Sequence, residues 1–170
     1  MTGRKRTRPV TPQDPSRRAT ERVKNPIPVP DQCPHCDGTD IEICKNSRIY
    51  RGKTYGEWPW IVLCNGCWAY VGLHPFTGIP LGTLADRATR DARMQSKKQF
   101  IAWQEQHNLS RNDAYRLLSQ RMRIPLEQCH FAWFSVEQCN QAEQAVHKLE
   151  QQRSYNPDSP FAKLRQLLAQ

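Results

Sequence analysis

No run of apolar residues in this 170-residue chain approaches the ~18 that an α-helix needs to cross a bilayer. The basic opening, MTGRKRTRPV, is not followed by the apolar core of a secretory leader. A cytoplasmic protein away from membranes is therefore expected, in a compartment where thiols stay reduced. The seven cysteines are an odd number, which argues against a complete disulfide framework. The chain has no P-loop, no G-x-S-x-G and no H-E-x-x-H, so the commonest phosphate-cradling, serine-hydrolase and zinc-protease signatures are missing. No internal repeat is present. Hydrophobic residues make up only 38% and mean hydropathy is -0.79. A core this small usually needs a metal or a disulfide to hold it.

What the chain has in excess is positive charge. Lys and Arg number 25 against 16 Asp and Glu, a formal net charge of +9. Such an excess favours a polyanionic partner, most often nucleic acid. Most of it lies in residues 1–30, where Arg4, Lys5, Arg6, Arg8, Arg17, Arg18, Arg22 and Lys24 face only Asp14 and Glu21. Pro9, Pro12, Pro15, Pro26, Pro28 and Pro30 punctuate the same stretch. It cannot bury enough apolar surface to offset its ordering entropy and reads as a disordered, polyanion-binding arm.

Residues 33–75, within an expected ribbon domain of 31–82, read as short strands. DIEIC, SRIYRG, PWIVLC and WAYVGLH are rich in β-branched and aromatic residues, with Gly52, Gly56 and Gly66 for turns and a Pro/Gly loop at 75–82. From residue 83 to 152 the pattern is helical. Thr83 and Asp86 suggest a capping box for the first helix. Leu84, Ala88 and Ala92 would be its apolar stripe, and Arg87, Arg90, Arg93 and Lys97 a basic one. A second helix is expected from Ser110 to the stop at Pro125. A third is expected from the capping box SVEQ at Ser135, burying Cys139, Ala142, Val146 and Leu149. Residues 153–170 read as a linker and a short amphipathic helix, SPFAKLRQLLAQ.

The chemistry concentrates in the cysteines. Cys33 and Cys36 in CPHCDG are matched by Cys64 and Cys67 in CNGCW, with 27 residues (37–63) between the pairs. Zinc takes four ligands in a tetrahedron and thiolates suit it. A two-residue gap lets both sulfurs of each pair face one ion. The insert has the length of a hairpin or meander that returns the second pair to the first, the plan of a zinc ribbon. A redox pair would need a βαβ setting that the strand-rich insert does not offer. Four thiolates close the coordination sphere, so one structural Zn2+ is expected. Cys44 and Cys139 read as packing residues. Cys129, His130 and Cys139 have an unusual spacing for a second metal site. His35 reads as a surface residue within the first pair, and His74 in GLHP as a turn histidine or a polar site residue.

RIYRGKTYGEWPW combines Arg48, Arg51 and Lys53 with Tyr50, Tyr55, Trp58 and Trp60. Cations among rings are what single-stranded nucleic-acid surfaces use. Some of these rings must also be core, and Tyr55 and Trp58, near the turn, are the expected exposed ones. CPHCDG, YGEWPWIVLCNGCWAYVGLHP, PLGTLAD, SRNDAYRLLSQRM and CHFAWFSVEQC together resemble the zinc-finger-containing domain family of phages, prophages and bacterial mobile elements, over about Cys33 to His147. The resemblance implies Cys33, Cys36, Cys64 and Cys67 as zinc ligands. Tyr55, Gly56, Tyr70, Gly72, His74, Pro75, Gly82, Thr83, Leu84, Tyr115, Cys129, His130 and Cys139 match its other recurring positions. The chain departs with CDG where Cys-Gly-Gly is expected and with HPFTG for a shorter His-Pro-Gly-Thr.

The expected fold is α+β, a four-cysteine zinc ribbon followed by a helical region. The expected function is nucleic-acid binding, DNA or RNA, by an accessory or regulatory protein. Arg4, Lys5, Arg6, Arg8, Arg17, Arg18, Arg48, Arg51, Lys53, Tyr55, Trp58, Arg87, Arg90, Arg93 and Lys97 would make the contacts. A module that binds a host protein is the alternative. A nuclease needing a second metal, with His74 in its site, is the third reading.

Overall fold

The computed structural model describes residues 9–155. The chain divides into two compact units, residues 1–88 and 89–170. The first is a ribbon and the second a helical unit, so the α+β expectation holds. Among the described residues no helix is long and apolar enough to cross a membrane.

The ribbon is an antiparallel sheet in the order β1 (Ile41–Lys45), β2 (Trp60–Cys64), β3 (Tyr70–Gly72). Ile41 pairs with Cys64, Lys45 with Trp60, and Leu63 with Tyr70. β2 is central, and its Ile61, Val62, Leu63 and Cys64 are all buried, which suits a β-branched and aliphatic run. Val62, Val71, Leu73 and Leu84 form a small aliphatic core that also contains Cys33 and Cys64. The cysteines are thus part of the core itself.

The expected strand at SRIYRG is absent. Asn46–Arg48 form a 3₁₀ turn, and the chain continues through Arg51, at φ 52°, and Gly52, at φ 85°. Asn46 decides this. Its backbone N–H donates to Pro59 O (2.9 Å), and its buried side chain donates to Tyr55 O (2.8 Å) and accepts from Tyr55 N (3.3 Å). An amide that satisfies backbone groups locally competes with a strand ladder.

From Pro9 onward the arm also departs from the disordered expectation. A short helix, α1 (Arg17–Thr20), is capped by Ser16, whose side chain accepts from Ala19 N. Ser16 N donates to Phe76 O at 2.9 Å, and Pro12 is buried. The prolines that break regular structure here also pre-set an extended chain, which lowers the cost of laying it on the ribbon. Residues 1–8, with Arg4, Lys5, Arg6 and Arg8, lie outside the described residues.

In the helical unit, α2 spans Arg87–Gln106, α3 Arg111–Met122 and α4 Val136–Tyr155. α2 starts later than the Thr83–Asp86 capping box predicts. Ala85 instead exchanges two backbone bonds with Tyr70 (3.0 and 3.2 Å), and Leu84 is buried in the ribbon, so the chain is still extended there. The buried face of α2 is Thr89, Ser96, Phe100 and Trp103, not Ala88, which is exposed. α3 is capped by Ser110, whose hydroxyl accepts from Asp113 N at 3.1 Å. It ends at Met122, before Pro125, because Arg123 turns left-handed (φ 56°) and Ile124 N donates to Ser119 O. At the start of α4 both arms of the SVEQ capping box are made: Gln138 N to Ser135 Oγ (3.2 Å) and Ser135 N to Gln138 Oε1 (3.0 Å). Phe100 is the hub of this unit's core, with ring centroids of Tyr115 at 4.9 Å and Phe131 at 5.4 Å. The short C-terminal helix expected in 153–170 falls almost wholly outside the described residues.

Candidate metal centre

Two turns of the same design carry the ligands. In the first, Asp37 N donates to Cys33 O and Cys33 N to Gly38 O, both at 2.9 Å. In the second, Trp68 N donates to Cys64 O and Cys64 N to Ala69 O, also at 2.9 Å. Each turn closes with a left-handed residue after its second cysteine, Asp37 at φ 56° and Trp68 at φ 64°. Asp tolerates that region better than most residues, which accounts for CDG standing where a glycine is expected. The glycines of the two turns differ from each other. At Gly38 a Cβ would come within 3.2 Å of Cys36 Sγ, so glycine there lets backbone and sulfur approach. At Gly66 the same contact is an ordinary 3.5 Å.

The four Sγ atoms lie within 4.8 Å of one another, with Cys33–Cys67 at 3.5 Å and Cys36–Cys64 at 3.6 Å. A disulfide needs about 2.05 Å. A zinc tetrathiolate, with Zn–S bonds of about 2.3 Å, has S···S edges of about 3.8 Å. The four cysteines therefore fit one structural zinc ion. Cys33 and Cys64 are fully buried, Cys67 half-buried and Cys36 exposed.

The electrostatics agree with that assignment. Burial raises the Cys33 pKa against the amide N–H groups of His35 and Cys36. At Cys64 burial also pushes up, but the amides of Cys67 and Gly66 and the neighbouring thiols outweigh it and bring the group to about 7. Burial and the neighbouring sulfurs push Cys67 up to about 12. The Cys64 thiolate forms readily, while Cys33 and Cys67 resist until a divalent cation neutralises them. Metal binding therefore releases protons.

His35 is not a ligand. Its Nε2 lies 3.0 Å from Leu84 O and its Nδ1 3.9 Å from Asp86 Oδ2, so it ties the first turn to the segment after β3. His74 is half-buried in a backbone turn, its N–H donating to Ile79 O and its carbonyl accepting from Thr77 Oγ1. Burial lowers its pKa. Among the described residues the four cysteines are the one group of three or more ligand-type side chains close enough to share an ion. Cys129, His130 and Cys139 are not gathered into a second one. Cys129 and Cys139 are core residues whose pKa values burial raises, Cys129 to about 11.

The expected nucleic-acid contacts separate into several groups. Arg51, Lys53 and Tyr55 are exposed on the loop after the 3₁₀ turn, and Tyr55 meets Tyr50 edge-on at 4.9 Å. Arg48 pairs with Glu42, and Arg17 with Glu21 at 2.8 Å. Arg18 is exposed on α1, as are Arg87 and Lys97 on α2, while Arg90 is half-buried. Arg93 also has a structural role: its Nε donates to Phe134 O at 2.7 Å within the helical unit. Trp58, expected to be exposed, is half-buried with its indole N–H on Thr77 O (3.1 Å). Trp68, directly after Cys67, is a further exposed ring, 55% accessible, outside the set expected from sequence. Asn46 is the residue that shapes the loop. Asn46→Ala should cost about 1–3 kcal/mol and raise protease sensitivity at residues 48–57, as limited proteolysis would read.

The sequence model of the zinc-finger-containing domain family matches residues 29–149, and the chain belongs to that family. No curated protein and no solved structure matches it.

Proposed function

We propose that the chain is a zinc-stabilised nucleic-acid-binding accessory or regulatory protein, acting in the cytoplasm in the setting of a phage or mobile element. The observation that carries this reading is the Tyr50–Tyr55 loop, which displays two rings and the cations Arg51 and Lys53 on a scaffold fixed by Asn46. Rings stack on bases and cations engage phosphates. The arm residues Arg4, Lys5, Arg6 and Arg8 and the exposed Arg18, Arg87 and Lys97 add a sequence-independent electrostatic contribution.

Fluorescence anisotropy with labelled single-stranded DNA and RNA, at about 50 mM and about 200 mM salt, tests it. Binding should weaken steeply at the higher salt. Tyr55→Ala should cost about 1–3 kcal/mol. Arg51→Gln with Lys53→Gln should flatten the salt slope by about 1–2. No binding to any DNA or RNA at the lower salt would overturn the reading.

A protein-interaction module is the second reading. Met94 (68% exposed) and Ile101 (39% exposed) support it, spaced to share one face of α2. A partner captured from nuclease-treated lysate, and lost on Met94→Glu, would favour it.

A further inference from the structure

The ribbon unit contains an open cleft of about 470 Å³, within the range of small-ligand sites. Its walls are aromatic. The Trp58 ring lies 6.3 Å from Trp60 and 5.4 Å from Phe76, tilted by 49° and 50°. The Trp58 hydrogen bond to Thr77 O holds its ring in place. Phe76 is 43% exposed and adopts φ 61°, while its carbonyl accepts from Ser16 N. Pro9, Val10 and Pro59 supply the remaining apolar wall. Close packing locks that segment on the ribbon: a Cβ on Gly78 would meet Pro12 O at 2.6 Å.

Two charged residues line the same cleft, Lys45 and Glu57. The Lys45 ammonium lies 3.9 Å from the Trp60 ring centroid. That ammonium offers a contact for a phosphate. Glu57 offers an acceptor for an exocyclic amine. Asn46, next to Lys45, holds Tyr55, so the exposed loop is anchored at the same strand end. In sequence, the cationic residues 4–8 lead directly into the wall at Pro9.

We propose that this cleft accepts one nucleotide of a single-stranded nucleic acid, its base against Trp58, Trp60 and Phe76 and its phosphate on Lys45. The proposal rests on the nucleic-acid reading above and locates its base-binding site. Flat rings stack on any base, so the site is tolerant of sequence. Direction along the strand comes from the single cation and the single carboxylate.

The test uses the full chain, with its tryptophan indole N–H resonances followed by NMR as a short oligodeoxyadenylate is added. The Trp58 and Trp60 signals should shift, while Trp103 and Trp133, in the helical unit, stay in place. Phe76→Ala and Lys45→Glu change exposed side chains, so zinc content and the unliganded spectrum should be preserved. Each should weaken binding by about tenfold or more. If the oligonucleotide binds but leaves Trp58 and Trp60 unmoved and both variants bind normally, the cleft proposal falls and the nucleic-acid reading stands. If nothing binds at low salt, both fall. If a proline-rich peptide shifts these resonances and the oligonucleotide does not, the cleft is a peptide site and the proposal is overturned.

Discussion

Cys64→Ser is expected to abolish zinc binding and unfold the ribbon. Cys64 is fully buried, pairs with Ile41 in the sheet and lies 3.6 Å from Cys36 Sγ. A serine hydroxyl is a poor zinc ligand, and it would leave the remaining sulfurs facing an open site. Structural zinc contributes apparent binding energy of about 10–16 kcal/mol in small domains, comparable to or larger than a typical domain stability of about 5–15 kcal/mol. The aliphatic core around the cysteines is too small to compensate. A strong chelator should act in the same way on the unmutated chain. Near-ultraviolet circular dichroism from the ribbon tryptophans would report the loss. The helical signal should persist, because the core around Phe100 shares no residue with the ribbon core. Cys139→Ser is the control: it lies in the helical core and should keep the zinc. A Cys64→Ser protein that retained zinc and the ribbon spectrum would contradict the assignment.

Phe100→Ala should give the largest effect in the helical unit. The side chain is 1% exposed, and its ring meets those of Trp103, Tyr115 and Phe131. Truncating a ring this enclosed costs about 3–5 kcal/mol, from lost transfer energy and the cavity left behind. Urea denaturation followed by helical circular dichroism should show a lower midpoint with unchanged zinc content. A loss under about 1 kcal/mol would mean that the site collapses freely and that Phe100 is not the hub.

The metal centre was legible in the sequence because ligand chemistry depends on residue type and spacing, and both are written in CPHC and CNGC. The family resemblance, carried by these pairs together with the motifs as far as CHFAWFSVEQC, is borne out over residues 29–149. The Ser110 and Ser135 caps were legible for a similar reason, since capping is local. What could not be read depended on distant partners. SRIYRG has strand composition, but Asn46 takes Tyr55 and Pro59 as partners and bends the chain. Leu84 and Ala85 fit a helix until Tyr70 claims Ala85 for the sheet. Arg93 lies on a basic stripe, yet Phe134 O, 41 residues away, takes its guanidinium. The proline-rich segment from Pro9 lacks a core of its own and is ordered by the loop around Phe76, which composition does not reveal.

The zinc assignment is tested most directly by elemental analysis of the full chain purified without added metal, together with the spectrum of its cobalt-substituted form. One zinc per chain is expected, with cobalt giving the ligand-field and thiolate charge-transfer bands of a tetrahedral four-sulfur site. A folded chain with no bound metal, or one whose Cys33, Cys36, Cys64 and Cys67 are joined in disulfides, would contradict it.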